Sequence, residues 1–146
     1  MKAVFLMAAG LLLSGCGRYA NFTLPQLAGG DPNLTFRLEA QPLPVLTRGE
    51  GWESHDVLNP SVTRWHGLLF NLYSGFDGQT WRTGLATSSD GIAWERRQLV
   101  LSPDPNTWEG HYIAANGAAF IHNSELWYWF VAGPEERPRI GVAHWR

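Results

Sequence analysis

The feature that most constrains this chain is an internal repeat. Trp52 and Glu53 recur as Trp108 and Glu109 at an offset of 56 residues (108 − 52), and His55 recurs as His111 at the same offset. Asn59 recurs as Asn116, and Arg82, Gly84 and Ala86 recur as Arg139, Gly141 and Ala143, now at an offset of 57 (141 − 84). One residue has been inserted between the two groups. A spacing sustained over so many positions means one supersecondary unit used twice, with apolar faces that are buried by stacking on a neighbour.

The content of that unit is β. Runs of β-branched, aromatic and aliphatic residues bounded by Gly, Pro, Asn and Asp read as strands, and the first copy holds four, over residues 57–63, 68–74, 82–88 and 92–98. His66-Gly67 turns the first into the second, and Asp90-Gly91 leads into the fourth. Gly adopts positive φ without a Cβ penalty, which makes such dipeptides hairpin signals. The second copy supplies three strands, over residues 114–121, 126–132 and 139–143. Residues 126–132 are apolar at every position, so burial on both faces is expected, and Trp94 and Trp127 are expected to be largely buried. No segment has helical periodicity. Four antiparallel strands per unit point to an all-β chain made of β-propeller blades, with residues 45–101 as one blade and residues 102–146 as a second, incomplete one. A sandwich with accidental self-similarity is the competing architecture. Propellers generally use four to eight blades, so further blades are expected from downstream sequence or from another chain.

The start of the chain is of a different kind. Met1-Lys2 is a short basic region, residues 3–13 are apolar but too few to span a bilayer, and Leu13-Ser14-Gly15-Cys16 is a small-residue cleavage site. This resembles the lipobox of bacterial lipoproteins, which implies a signal peptide over residues 1–15, lipidation of Cys16, and a membrane anchor on the periplasmic or cell-surface side. An ordinary secretory signal with a chance Cys is the alternative. Residues 16–44 read as a tether and lead-in, interrupted by Pro25, Pro32, Pro42 and Pro44, with an added strand over residues 33–39.

Charge and cysteine content narrow the chemistry. The net charge of −2 becomes −3 once Lys2 leaves with the signal, and nucleic-acid binding normally needs a clustered basic face. Cys16 is the single cysteine. With it lipidated, disulfides, cysteine metal sites and a cysteine nucleophile are excluded. No His-x-His or His-x3-His pair supports a metal site, and no cofactor is expected.

The run Asn-Pro-Ser-Val (residues 59–62), a turn Gly, an apolar strand ending Tyr-Ser-Gly (73–75), and Thr-Gly-Leu-Ala-Thr-Ser-Ser-Asp-Gly-Ile-Ala-Trp (83–94) resemble the five-bladed β-propeller glycoside hydrolases, the group of arabinanases, β-xylosidases, levansucrases and invertases. The resemblance covers about residues 45–143. It implies a carbohydrate substrate and a catalytic Asp near the start of the first blade's inner strand. Asp56 is the matching residue, as general base or nucleophile. The family's Asp-Pro stands here as Asn59-Pro60, with Asp56 displaced upstream.

Glycosidases generally need two carboxyl groups flanking the scissile bond, one protonated and one ionised. Asp56 suits the ionised role, and it equally suits the satisfaction of backbone donors in the turn before the strand. In the family, the general acid comes from later blades, beyond Arg146. Glu109 repeats Glu53, which favours a structural role for both. Trp52 and Trp108 could stack on a sugar's apolar face, and His55 and His111 could contact its hydroxyls. Packing of the Trp-Glu-x-His loop between blades is the other reading. Asn59 and Asn116, on the inner strands, are candidate binders of hydroxyls, although a buried Asn must find amide partners whatever its function. Residues 88–94 read as a structural turn ordered by Asp90, with Trp94 beneath it.

Three readings follow: a glycoside hydrolase-like lipoprotein, a non-catalytic carbohydrate-binding propeller, or a structural blade pair that needs a partner chain. On the first, the chain by itself is expected to be inactive and marginally stable.

Overall fold

The computed structural model describes Phe22–Thr23 and residues 35–146. The segment expected to be a signal peptide, Cys16 and most of the expected tether lie outside the described residues. Two units are distinguished, residues 1–42 and 43–146. In the first, β1 (Phe22–Thr23) pairs antiparallel with β2 (Thr35–Phe36). Of the strand expected over residues 33–39, residues 33 and 34 lie outside the described residues, Thr35 and Phe36 are paired, and the backbone from Arg37 to Gly49 is irregular. Pro42 and Pro44 have no N–H to give to a ladder.

The second unit opens with a 3-10 turn, Gly51–Glu53, the only helical element among the described residues. Seven strands follow: β3 (Asp56–Trp65), β4 (Leu68–Phe76), β5 (Trp81–Ser88), β6 (Glu95–Leu101), β7 (Ile113–His122), β8 (Glu125–Gly133) and β9 (Arg139–Trp145). β3 to β6 form one antiparallel meander and β7 to β9 another. A single parallel pair, Trp81 with Ile113, joins them into an open sheet of seven strands. The all-β class is as expected from the sequence.

The repeat is visible in the registers. Phe70↔Thr87, Leu72↔Leu85 and Tyr73↔Gly84 in β4–β5 reappear as Trp127↔His144, Trp129↔Val142 and Phe130↔Gly141 in β8–β9. The bulge between Leu58 and Ser61 in β3 reappears between Ala115 and Ala118 in β7. Both first hairpins turn through two residues of positive φ, His66 (46°) and Gly67 (81°) in one, Asn123 (50°) and Ser124 (66°) in the other. That backbone twist matches the right-handed twist of the flanking strands.

One boundary shifts for a local reason. The fourth strand starts at Glu95 rather than at residue 92, because the Asp90 carboxylate accepts the Ile92 and Ala93 amides at 2.8 and 2.9 Å. Trp94 Nε1 also donates to Gly91 O at 3.0 Å. Residues 92–94 belong to the turn, which is the structural role read for this segment.

The core lies between the two meanders. Leu72 of β4 packs with Ala114, Leu126, Tyr128, Phe130 and Ala132. Alternation along β8 sends those side chains inward and Trp127, Trp129 and Val131 to the opposite face. Burial on both faces, expected for residues 126–132, is therefore seen on one face only. Trp94 and Trp127 are half-buried rather than largely buried, Trp94 because it caps an exposed turn and Trp127 because it lies on the open face.

Candidate functional site

Asp56 opens β3 and is half-buried, and its Oδ1 accepts the Val57 amide at 2.9 Å. Register places it opposite Phe76, and Phe76 opposite Trp81. Directly opposed residues share a sheet face with Cβ atoms about 5 Å apart, so Asp56, Phe76 and Trp81 form one row across three strands. The Phe76 and Trp81 rings stack at 4.5 Å and 16°. His55 is exposed, meets Phe76 edge-on at 5.5 Å, and donates its backbone N–H to Phe76 O at 2.8 Å. The Phe76–Trp81 pair was not singled out in the sequence, because its two members look like ordinary strand aromatics until the β4–β5 register aligns them.

Asn59 and Asn116 are brought together. Each sits at its strand's bulge with positive φ, 51° and 56°. Asn tolerates this left-handed region better than most residues because its short amide can bond locally. Asn59 Nδ2 donates to Asn116 Oδ1 at 2.6 Å, and Ser74 Oγ donates to the same oxygen at 2.8 Å. Asn116 N–H donates back to Ser74 Oγ at 3.0 Å. Both Asn residues remain exposed.

Trp52 lies across Gly75 and Gly84, where an added Cβ would fall 2.3 and 2.2 Å from its ring, and its ring centroid is 5.7 Å from that of Tyr73. Trp108 lies over Gly141 in the same way, with the Cβ position 3.0 Å away, and is itself exposed. These contacts describe packing of each Trp on its own meander, one of the two roles the sequence allowed. His111 is exposed, and its backbone O accepts Thr80 Oγ1 at 3.1 Å, which ties this loop to the β4–β5 hairpin.

The other carboxylates near these elements are engaged. Glu53 is buried, accepts the Tyr73 hydroxyl at 2.8 Å and pairs with Arg96 Nε at 2.8 Å. Burial first, and then the neighbouring Glu53, push the Tyr73 hydroxyl far above its usual range. Glu109 accepts the Asp104 amide at 3.0 Å. Asp77, the residue after Phe76, accepts the Gln79 and Thr80 amides at 2.9 and 2.8 Å and pairs with Arg82. Burial raises its pKa, but the Thr80 amide, the Arg82 guanidinium and the Gln79 amide outweigh that and hold it at about 2. An acid so strong is ionised at neutral pH and cannot donate a proton to a leaving group. The Asp77–Arg82 pair was missed in the sequence, although Asp77-Gly78 is the same turn dipeptide as Asp90-Gly91. Among the described residues, no three His, Cys, Asp or Glu side chains are gathered in a way that could hold a metal ion.

No protein-family model matches this chain, and no curated protein matches it. Solved structures do. A glycosyl hydrolase from Bacteroides ovatus superposes with TM-score 0.64 at 24% identity, over 70% of this chain and 36% of that one. A structure from work on the GH130 family of mannoside phosphorylases, which contains glycoside hydrolases that target beta-1,2 mannosidic linkages in Candida mannan, gives TM-score 0.62 at 27% identity, over 70% and 36%. A further glycoside hydrolase gives 0.56 at 13% identity, over 75% and 32%. The chain thus shares, over about a third of their length, the fold of solved glycoside hydrolases.

Proposed function

We propose that this chain is part of a β-propeller acting on glycosides, with β3 to β6 as one blade and β7 to β9 as three strands of the next. The observation that carries the reading is the row of Asp56, Phe76 and Trp81 at one end of the sheet. A carboxylate beside apolar rings is what a sugar ring presents itself to, hydroxyls toward the acid and C–H face toward the aromatic. Asp56 is the base or nucleophile. His55, His111, Asn59 and Asn116 are candidate hydroxyl contacts, and Trp52 and Trp108 hold the loops that carry the two histidines. The substrate class is an oligo- or polysaccharide, with β-mannosides the first to try, given the GH130 likeness.

A general acid must come from a further unit of the repeat, in the same or another chain, since Glu53, Glu109 and Asp77 are committed to structural contacts. That same observation favours a second reading, carbohydrate binding without catalysis. Calorimetric titration and hydrolysis assays with aryl glycosides and oligosaccharides separate the two. Saturable binding of at least one sugar is expected, weakened tenfold or more by Asp56→Asn and by Trp81→Ala, without turnover. Hydrolysis by the chain alone, abolished by Asp56→Asn, would remove the need for a further unit, and failure to bind any of the sugars would overturn both readings.

The chain is further proposed to be a lipoprotein anchored through Cys16 on the periplasmic or cell-surface side, on the strength of its Leu-Ser-Gly-Cys ending. Wild-type protein is expected in the membrane fraction and Cys16→Ala outside it. Identical partition of the two would refute the anchor.

A further inference from the structure

We infer, on the glycoside reading of the Asp56, Phe76 and Trp81 row, that the tip of the β4–β5 hairpin positions the sugar-facing rings and joins the two histidine loops around them, with Asp77 and Thr80 as positioning residues. The tip is the four-residue segment Asp77-Gly78-Gln79-Thr80, and the stacked rings stand at its feet, Phe76 before it and Trp81 after it. Whatever fixes the closure of these four residues therefore fixes the ring pair. A group already held in its bound position costs less to order when a ligand arrives.

A clamp spans the ring pair one residue further along on each side. Asp77, which follows Phe76, pairs with Arg82, which follows Trp81. The same carboxylate accepts the Gln79 and Thr80 amides at 2.9 and 2.8 Å, so the foot of β5 and the tip are tied to one group. Arg82 is held in turn by Ser102, whose Oγ accepts its Nε–H at 3.2 Å. Successive residues of a strand point to opposite faces, so the Arg82 side chain leaves β5 on the face away from the Trp81 ring. The clamp thus reaches a sugar only through the rings it holds.

Both copies of the repeat attach to this tip. From the first copy, the His55 amide donates to Phe76 O at 2.8 Å, and the His55 imidazole stands over Gly78, its Nδ1 3.9 Å from where a Cβ would be placed. From the second, His111 O accepts Thr80 Oγ1 at 3.1 Å and Tyr112 O accepts the Trp81 amide at 2.9 Å. His55 and His111, equivalent in the repeat, are thus anchored to the two ends of one six-residue segment. Hairpin formation does not require this device, because the second meander closes without it. At the offset of 57 (133 − 76), Phe76, Asp77 and Trp81 become Gly133, Pro134 and Pro138, and Arg82 becomes Arg139 without the acid. That turn is closed by the Arg137 amide donating to Pro134 O at 3.0 Å. The clamp is present where the rings are and absent where they are not.

Calorimetric titration of the full chain with β-1,2-linked mannobiose tests this, replaced by the tightest-binding member of the oligosaccharide and aryl glycoside series if mannobiose is not bound. Asp77→Ala is expected to weaken binding about tenfold, and Thr80→Val about threefold, because the ligand must then order the tip and its rings. Asp77→Asn, which keeps an oxygen for the Gln79 and Thr80 amides, should recover part of the loss. Asp90→Ala removes an acid that accepts two turn amides in the same way at the far end of β5, and affinity should stay within about twofold of wild type, as for an independent site. Without sugar, the Trp81 indole N–H resonance should shift and broaden in Asp77→Ala and hold in Asp90→Ala. Thermal melts identify the folded variants, and Asp77→Asn carries the comparison if Asp77→Ala does not fold. Equal weakening by the Asp77 and Asp90 variants, or an unchanged affinity and Trp81 resonance in the Asp77 variant, would overturn the inference and leave the sugar reading intact. A wild-type chain that binds none of the sugars would overturn both.

Discussion

Asn59 and Asn116 occupy the same position in two copies of one repeat, and their side chains meet, with Asn59 Nδ2 donating to Asn116 Oδ1 at 2.6 Å. Equivalent residues of a stacked repeat usually stand one unit apart, so their contact means that the two inner strands converge at the bulges. Ser74 closes the cluster from β4.

Replacement of Asn116 should separate its two contributions. Asn116→Ala loses bonds to Asn59 and Ser74, each about 1 kcal/mol, and puts a Cβ without a compensating amide at φ 56°, which costs about 1 kcal/mol more. Asn116→Gly loses the bonds but relieves the backbone. Urea unfolding should rank wild type, Gly, then Ala, and equal midpoints for the two variants would contradict the argument.

Gly84→Ala should be far more damaging than its chemistry suggests. The new methyl would stand 2.2 Å from the Trp52 ring and 2.7 Å from that of Tyr73. Either Trp52 is expelled or the hairpin shifts, at about 1–3 kcal/mol for overpacking. Gly141→Ala meets Phe130 at 2.6 Å and the exposed Trp108 at 3.0 Å, and Trp108 can give way to solvent. Denaturation midpoints and Trp fluorescence should show the larger change for Gly84→Ala.

Glu53→Leu should destabilise more than Tyr73→Phe. Removal of the carboxylate leaves the buried Tyr73 hydroxyl without its acceptor and takes an ion pair from Arg96, which stays exposed and bonded to Thr47 O, and a hydrogen bond to a charged group is worth about 1.5–3 kcal/mol. Tyr73→Phe leaves Glu53 still paired with Arg96. Comparable losses in the two variants would show that the Arg96 contact contributes little.

Asp77 should make the chain acid-sensitive over a defined range. Its folded pKa of about 2 lies below the ordinary 3.8, so the folded state favours the ionised form. The resulting stabilisation is complete above about pH 4 and is lost as pH falls through 2. Asp77→Asn should be less stable than wild type at pH 6, with the gap closing toward pH 2. A gap that stays constant between pH 4 and 2 would mean that the carboxylate's charge is not what Arg82 and the turn amides stabilise.

The sequence by itself determined whatever local chemistry dictates. The 57-residue spacing carried the two-unit organisation, period-two runs carried the strands, and Asp90 with Gly91 carried the turn over Trp94, because these depend on backbone preferences and on neighbours a few residues away. The tertiary structure alone decided which face is covered. Residues 126–132 are apolar throughout, and nothing in that run distinguishes Tyr128, which meets Thr83 and Gly117, from Trp129, which meets solvent. The same holds for roles set by contacts at long range. Trp52 and Glu53 are packing residues because β4 and β5 bring Gly75, Gly84 and Tyr73 beneath them, and Asp56 acquires an aromatic neighbour only through the β3–β4 register. Burial and pairing across strands are properties of the folded arrangement of the chain, and a sequence of residue types does not contain them until the registers are fixed.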